Sequence, residues 1–202
     1  MLRLLARKAP VEKLPIDKAT PEESLVERAQ AGEAEAFKAL FDRHVGSVRR
    51  FLRDVVRDAT AADEATQETF VRAHAQLARL EQRARVKAWL LGIARNVAFE
   101  QRRSRKDEVE LDDSEAPIEA VIPSPDPERL LLDRELERQF DTALGTLSTH
   151  RRAALVLRLD HGLGYEEIAT LMGWSLPMVK NEIHRARLKL REAMLPHLGG
   201  RS

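Results

Sequence analysis

Between residues 176 and 191 the chain carries Lys180, Arg185, Arg187, Lys189 and Arg191 against one carboxylate, Glu182. At 3.6 residues per turn, Leu176, Val179, Ile183, Ala186 and Leu190 share one arc. Asn181, His184 and Arg185 fall on the opposite arc, with Lys180, Arg187 and Arg191 beside them. A helix with one apolar face and one such polar face fits the major groove of DNA. Arg or Lys donates to O6 and N7 of guanine, and Asn pairs with N6 and N7 of adenine. An ordinary solvated helix face would carry the same charges, so the residues in front of it matter. Tyr165–Met172 reads as a short helix with Ile168, Leu171 and Met172 inward. Gly173 stops it and Ser175 caps the next helix, which is the layout of a helix-turn-helix. Leu188 leans toward the outward arc, and periodicity offers no role for it.

A second cationic stretch runs from Arg79 to Lys106, with nine basic and two acidic side chains. Bond-making chemistry finds little support. The absence of cysteine excludes thiolate metal sites, disulfides and thiol catalysis. The six histidines stand at none of the spacings that turn two ligands onto one helix face. Glu64 and Glu68 share a face, but no histidine lies at the offset a helical metal-dependent hydrolase would need. We therefore expect no catalytic residue, no metal, no cofactor and no enzymatic activity.

The elements that must position these groups are helical. Of 202 residues, 43% are hydrophobic, 33% charged and only 4% aromatic, and Ala, Leu, Arg and Glu recur, which favours helix over strand. The fold class expected is all-α, with two small helical domains joined by an acidic, proline-containing linker and a helix-turn-helix in the second domain. Residues 1–21 read as a flexible N-terminal tail and residues 22–106 as the first domain. Thr20 is placed to cap its first helix, with Glu23 closing a capping box. Breaks fall near Gly32, at Asp58-Ala59-Thr60 and around Glu81–Arg85. Residues 107–128 hold nine carboxylates and no basic group, and read as linker. Residues 129–202 form the second domain. Leu130, Leu131, Leu136, Phe140 and Leu144 make its first apolar face, Ser148 caps the next helix, and Ala153, Leu155, Val156 and Leu159 line that helix. No apolar run reaches membrane-spanning length, and Met1–Ala6 is too short for a secretory core, so a cytoplasmic protein without membrane insertion is expected.

Several of these segments resemble a known family. Leu155-Val156-Leu157-Arg158, Gly162–Ala169 and Val179-Lys180 with Ile183-His184-Arg185-Ala186-Arg187 are similar to the C-terminal domain of extracytoplasmic-function (ECF) sigma factors of the sigma-70 family. Leu25-Val26, Ala29, Gly32 and Ala36-Phe37 resemble the start of that family's region 2. Ala62–Ala73 resembles its polymerase-binding helix, and Trp89-Leu90 with Ile93-Ala94-Arg95-Asn96 and Ala98 its promoter-opening segment. The resemblance spans roughly residues 23–105 and 129–195. It implies a sigma factor that binds core RNA polymerase, recognises −10 and −35 promoter elements and starts transcription of a specific gene set under an anti-sigma factor. It would be nucleoid-associated through the polymerase.

Carried over residue by residue, the resemblance assigns Asp63, Glu64, Gln67 and Glu68 to the β′ clamp helices. Carboxylates and amides one turn apart suit an Arg-rich partner, although a solvated face is the ordinary reading of such charges alone. The second domain would meet the β flap. Asn96 would contact the −10 element, with Arg83, Arg85 and Lys87 in the neighbouring loop and Arg102 and Arg103 holding phosphates. Lys180, Asn181, His184 and Arg185 would read the −35 element. Trp89 reads as core. The chain departs from the family at His74, where Trp is common, and at Val86, where an aromatic is usual. Pro177-Met178 replaces a Gly-Thr pair, and Glu182 stands in place of Arg. Glu182 either accepts from cytosine N4 or repels phosphate.

Two promoter elements about 17 base pairs apart are separated by about 58 Å at ~3.4 Å per pair. A 22-residue linker reaches at most about 75 Å at ~3.3–3.6 Å per residue, but averages about 26 Å when relaxed. It spans the gap only when something stretches it. In the family the RNA-exit channel does so, and an acidic segment there would partly imitate RNA. Replacing the nine carboxylates by amides is then expected to alter early transcript release. A rival reading, an autonomous dimeric helix-turn-helix regulator, explains residues 129–195 but leaves the Asp63–Glu68 helix and Asn96 without work.

Overall fold

The structure, a computed structural model, describes residues 15–108 and 138–198, and every regular element among them is helical. The first domain comprises α1 (Glu22–Gln30), α2 (Ala34–Val56), α3 (Ala59–Gln76), the short 3-10 turns Leu77–Arg79 and Arg83–Arg85, and α4 (Val86–Glu108). The second comprises α5 (helical over 138–145), α6 (Thr149–Leu159), α7 (Tyr165–Met172) and α8 (Leu176–Leu198). Residues 107–128, apart from the end of α4, and Leu130, Leu131 and Leu136 lie outside the described residues.

Local chemistry sets the helix ends. Gly32 turns between α1 and α2 at φ 89°, where a Cβ would be strained. Asp58 begins α3, its Oδ1 accepting from the Ala61 N–H at 2.8 Å. Thr20 does not cap α1. Its hydroxyl instead donates to Asp17 Oδ1 at 2.9 Å and accepts from the Asp17 N–H at 3.0 Å. Pro21, which brings its fixed φ, stands at the N-cap. Ser148 holds the N-cap of α6 without a side-chain bond.

The tail is shorter than the sequence suggests. Ile16 packs against the core, and Arg43 of α2 donates to the carbonyls of Lys18 and Thr20 at 3.2 and 3.0 Å. Residues 15–21 thus belong with the first domain.

The apolar stripes meet as their spacing requires. Leu25, Val26, Val48, Phe51 and Leu52 are buried with Phe70, Leu90, Leu91 and Val97, and Trp89 packs on this cluster. In the second domain Leu155, Leu157, Ile168, Val179 and Ile183 are buried. Truncating one such leucine to alanine costs about 2–5 kcal/mol. Phe140 and Leu159 depart from expectation. Both are exposed, Leu159 at 47%, because α5 and α6 offer those flanks to solvent beside the first domain rather than to their own core. The two domains share one apolar cluster, α2 resting on α6 and α4 on α7. Leu171, expected inward, is only half-buried and turns to α4. A Cβ at residue 92 would come within 2.8 Å of Leu171 Cδ2, so Gly92 makes room for this approach.

Candidate DNA and polymerase interfaces

The helix-turn-helix is set by Gly173. Its φ of 66° ends α7, and the Trp174 N–H donates to the Ala169 carbonyl at 3.0 Å. Ser175 Oγ accepts from the Met178 N–H at 3.4 Å and starts α8. Val179, Ile183 and Ala186 are buried, whereas Lys180, Asn181, His184 and Arg185 are all exposed on the opposite face. Leu188 is 44% exposed on that side, with no partner that explains it. Lys189 is drawn away, its Nζ donating to the Thr146 carbonyl. Glu182 is half-buried and not a free charge. Arg151 Nε of α6 donates to its Oε2, and Arg185 Nη1 stands 3.6 Å from its Oε1.

The second cationic surface follows α4. Asn96 and Arg103 are exposed, and so is Arg85 in the preceding turn. Arg83 is braced by α1, its Nε donating to Gln30 Oε1 at 3.1 Å and its Nη1 lying 3.4 Å from Glu27. Gln30 in turn donates to the Leu77 and Leu80 carbonyls at 3.0 and 2.8 Å, so the loop is tied to α1. Lys87 Nζ donates to the His161 carbonyl of the second domain at 3.3 Å. Val86 is fully buried and supports the start of α4 from the core. Arg95, which the periodicity left unassigned, lies over the Phe99 ring at 5.2 Å. Its burial lowers its pKa. Phe99 packs on His150 of α6 at 4.3 Å between ring centroids. Burial, with Arg102 and Arg95 nearby, also lowers the pKa of His150. The second domain thus lies along one flank of α4, close to Lys87 and Arg102.

On α3 the four acidic and amide positions separate into two kinds. Glu64 and Gln67 are exposed. Asp63 accepts two bonds from Arg49 of α2, at 2.6 and 2.7 Å, which holds its carboxyl below the ordinary range. Arg72 bridges Glu68 and Glu100 at 2.6 Å each, joining α3 to α4. A shallow groove of about 340 Å³ lies between these helices, lined by Glu64, Glu68, Arg72, Glu100 and Gln101. Val71, one turn further along, is 64% exposed on α3. Phe37 packs edge-on against His74 at 4.8 Å between ring centroids. Among the described residues no group of His, Asp or Glu is placed to hold a metal ion. No described helix is long and apolar enough to cross a membrane.

Two helical domains, one carrying a helix-turn-helix, define a class of DNA-binding transcription proteins, and comparison with known proteins specifies it. Residues 40–108 match Sigma-70 region 2 and residues 137–190 match Sigma-70, region 4. The chain is 32% identical to the RNA polymerase sigma-H factor of Pseudomonas aeruginosa, covering 88% of this chain and 95% of that one. It is 33% identical to the ECF RNA polymerase sigma factor SigL of Mycobacterium tuberculosis, covering 82% and 93%. Among solved structures it resembles the sigma factor RpoE in complex with the anti-sigma factor NepR from Bartonella quintana. That match has a TM-score of 0.64 and 29% identity over 80% of this chain and 98% of that one. CnrH in complex with the cytosolic domain of CnrY matches with a TM-score of 0.63 and 28% identity, over 87% and 97%. The chain belongs to the ECF sigma factors of the sigma-70 family, transcription initiation factors that bind core RNA polymerase and promoter DNA.

Proposed function

We propose that this chain directs core RNA polymerase to a specific set of promoters, reading a −35 element with α8 and a −10 element with α4 and the loop before it. Lys180, Asn181, His184 and Arg185 contact −35 bases and phosphates, and Asn96 takes the −10 element. Arg83, Arg85, Lys87, Arg102 and Arg103 hold the surrounding backbone. Asp63, Glu64, Gln67 and Glu68 meet the β′ clamp helices, and the second domain meets the β flap. The working units are residues 22–106 with the packed segment 15–21, and residues 129–202, with 107–128 as tether, and they act in the cytoplasm. The observation that carries this reading is the exposed polar face of α8, held outward by a buried apolar face and a glycine-terminated turn. Phosphate contacts set register and base contacts choose the site; the whole holoenzyme opens the duplex.

Reaching both elements requires the two domains to part, since α2 rests on α6 and Lys87 is bonded to His161. We further infer control by an anti-sigma factor, a partner present in the structure of RpoE with NepR. Purified protein added to core polymerase, followed by genome-wide mapping of transcription starts, tests the proposal. New starts sharing −35 and −10 sequences are expected; unchanged start-site preference would overturn it.

A further inference from the structure

We propose that Glu182 is a positioning residue for −35 recognition: anchored by Arg151 of α6, it holds the Arg185 guanidinium in the orientation that reads a base. The inference rests on the reading of α8 as the −35 helix. Glu182 is the one acid between residues 176 and 191, and a carboxylate facing the groove would repel phosphates. The fold gives it another place. Its side chain is only 15% exposed, at the border between the buried arc and the DNA face, next to the buried Ile183.

Its two oxygens face two arginines. Oε2 accepts from Arg151 Nε in the first turn of α6, which fixes the carboxylate. Oε1 then presents a stationary negative charge to Arg185 Nη1, three residues along α8 at 3.6 Å. That separation is an ion pair rather than a close hydrogen bond, so the donors of Arg185 remain available to a base edge. A long, mobile side chain held this way loses less freedom when DNA arrives. The same carboxylate subtracts one charge from the helix and weakens binding to any duplex. Glu182 therefore exchanges general affinity for selectivity.

The two effects have opposite signs, which makes the role measurable. The full-length chain, as holoenzyme, is tested on a promoter library randomised at −35, with Glu182→Gln, Arg151→Gln and each combined with Arg185→Ala. Affinity for random duplex is measured against salt, and melting temperature is recorded in parallel. A bidentate arginine–guanine pair discriminates by roughly five- to 150-fold. E182Q is expected to lower discrimination at one base pair by about fivefold or more while raising affinity for random duplex. R151Q is expected to lower the same discrimination without that rise. In the Arg185→Ala background both changes in discrimination vanish.

If the carboxylate merely staples α6 to α8, the variants instead lower the melting temperature and weaken binding to all sequences alike, with or without Arg185, and that result overturns the proposal. If the wild-type holoenzyme selects no −35 base, the sigma-factor reading itself fails. If it selects one and both variants select it equally well, only the positioning role fails.

Discussion

At the scale of the residue, identical charges do different work because their surroundings differ. Lys189 is bound to the Thr146 carbonyl and Arg83 to Gln30 and Glu27, so neither is as free for DNA as composition implies. Lys180 and Arg185 stand in solvent on the outward face of α8. Replacing Arg185 by alanine is expected to cost about 1–3 kcal/mol at one −35 position, measured by binding to single-base promoter variants. An equal loss on every sequence would identify a phosphate contact instead. The same contrast divides α3. Asp63 is held by Arg49, whereas Glu64 is exposed. Charge reversal, Glu64→Lys, is expected to weaken core-polymerase binding by about 2 kcal/mol or more, read by fluorescence titration. Its melting temperature is expected to stay within about 1 °C of wild type because the side chain is not packed.

At the scale of the element, the turn between α7 and α8 governs recognition without touching DNA. Gly173 adopts a left-handed conformation that costs a side-chain-bearing residue about 1–2 kcal/mol. Gly173→Ala is therefore expected to lower stability by that amount in thermal melts and to weaken −35 binding through misorientation of α8. Arg57 tolerates a similar conformation, φ 59°, at the end of α2. Its guanidinium donates to the Asp141 carbonyl and lies against Gly145 of α5, where a Cβ would come within 2.9 Å of it. The contact ties the end of α2 to the second domain, a compensation that glycine at this position would lack.

At the scale of the whole molecule, the seam between the domains buries groups that titrate. Asp54 faces a cavity of about 40 Å³ bounded by Phe140, Leu144, Leu155 and Asp160. Burial, with Asp160 and Asp141 nearby, pushes its carboxyl up to about 7, against the opposing charges of Arg50 and Arg152. With the folded-state pKa raised, this contribution is full below about pH 4 and is lost as pH rises through about 7. His161 works with the opposite sign. Its ring packs edge-on against Phe51, its Nδ1 lies 3.3 Å from Ser47 Oγ, and burial beside Lys87 lowers it to about 4. The contribution of the neutral ring is full above roughly pH 6.5 and is lost as pH falls through about 4. The two slopes oppose one another between these limits, and above them only the Asp54 loss remains. Asp54→Asn is therefore expected to stabilise the protein by about 1–2 kcal/mol at pH 8 and not at pH 5, measured by thermal melting at both values. A pH-independent difference would show that Asp54 is ionised in the docked form.

Periodicity and composition determined the all-α class, the breaks at Gly32 and Asp58, the buried arc of α8 and its polar face. Each follows from local rules: which residues recur every turn, and which backbone conformations a glycine or a capping aspartate permits. What only tertiary structure decided is the partnership of each charge and the exposure of residues such as Val71 and Leu159. Glu182 was open between two DNA-facing roles because its neighbour Arg151 lies 31 residues away on another helix. The docking of Leu171 on Gly92 and the burial of Asp54 depend on contacts between domains, and no short-range pattern encodes them. Whether a polar side chain meets water or a partner is settled by the folded chain's packing, since a hydrogen bond or ion pair joins residues by distance in space rather than along the sequence.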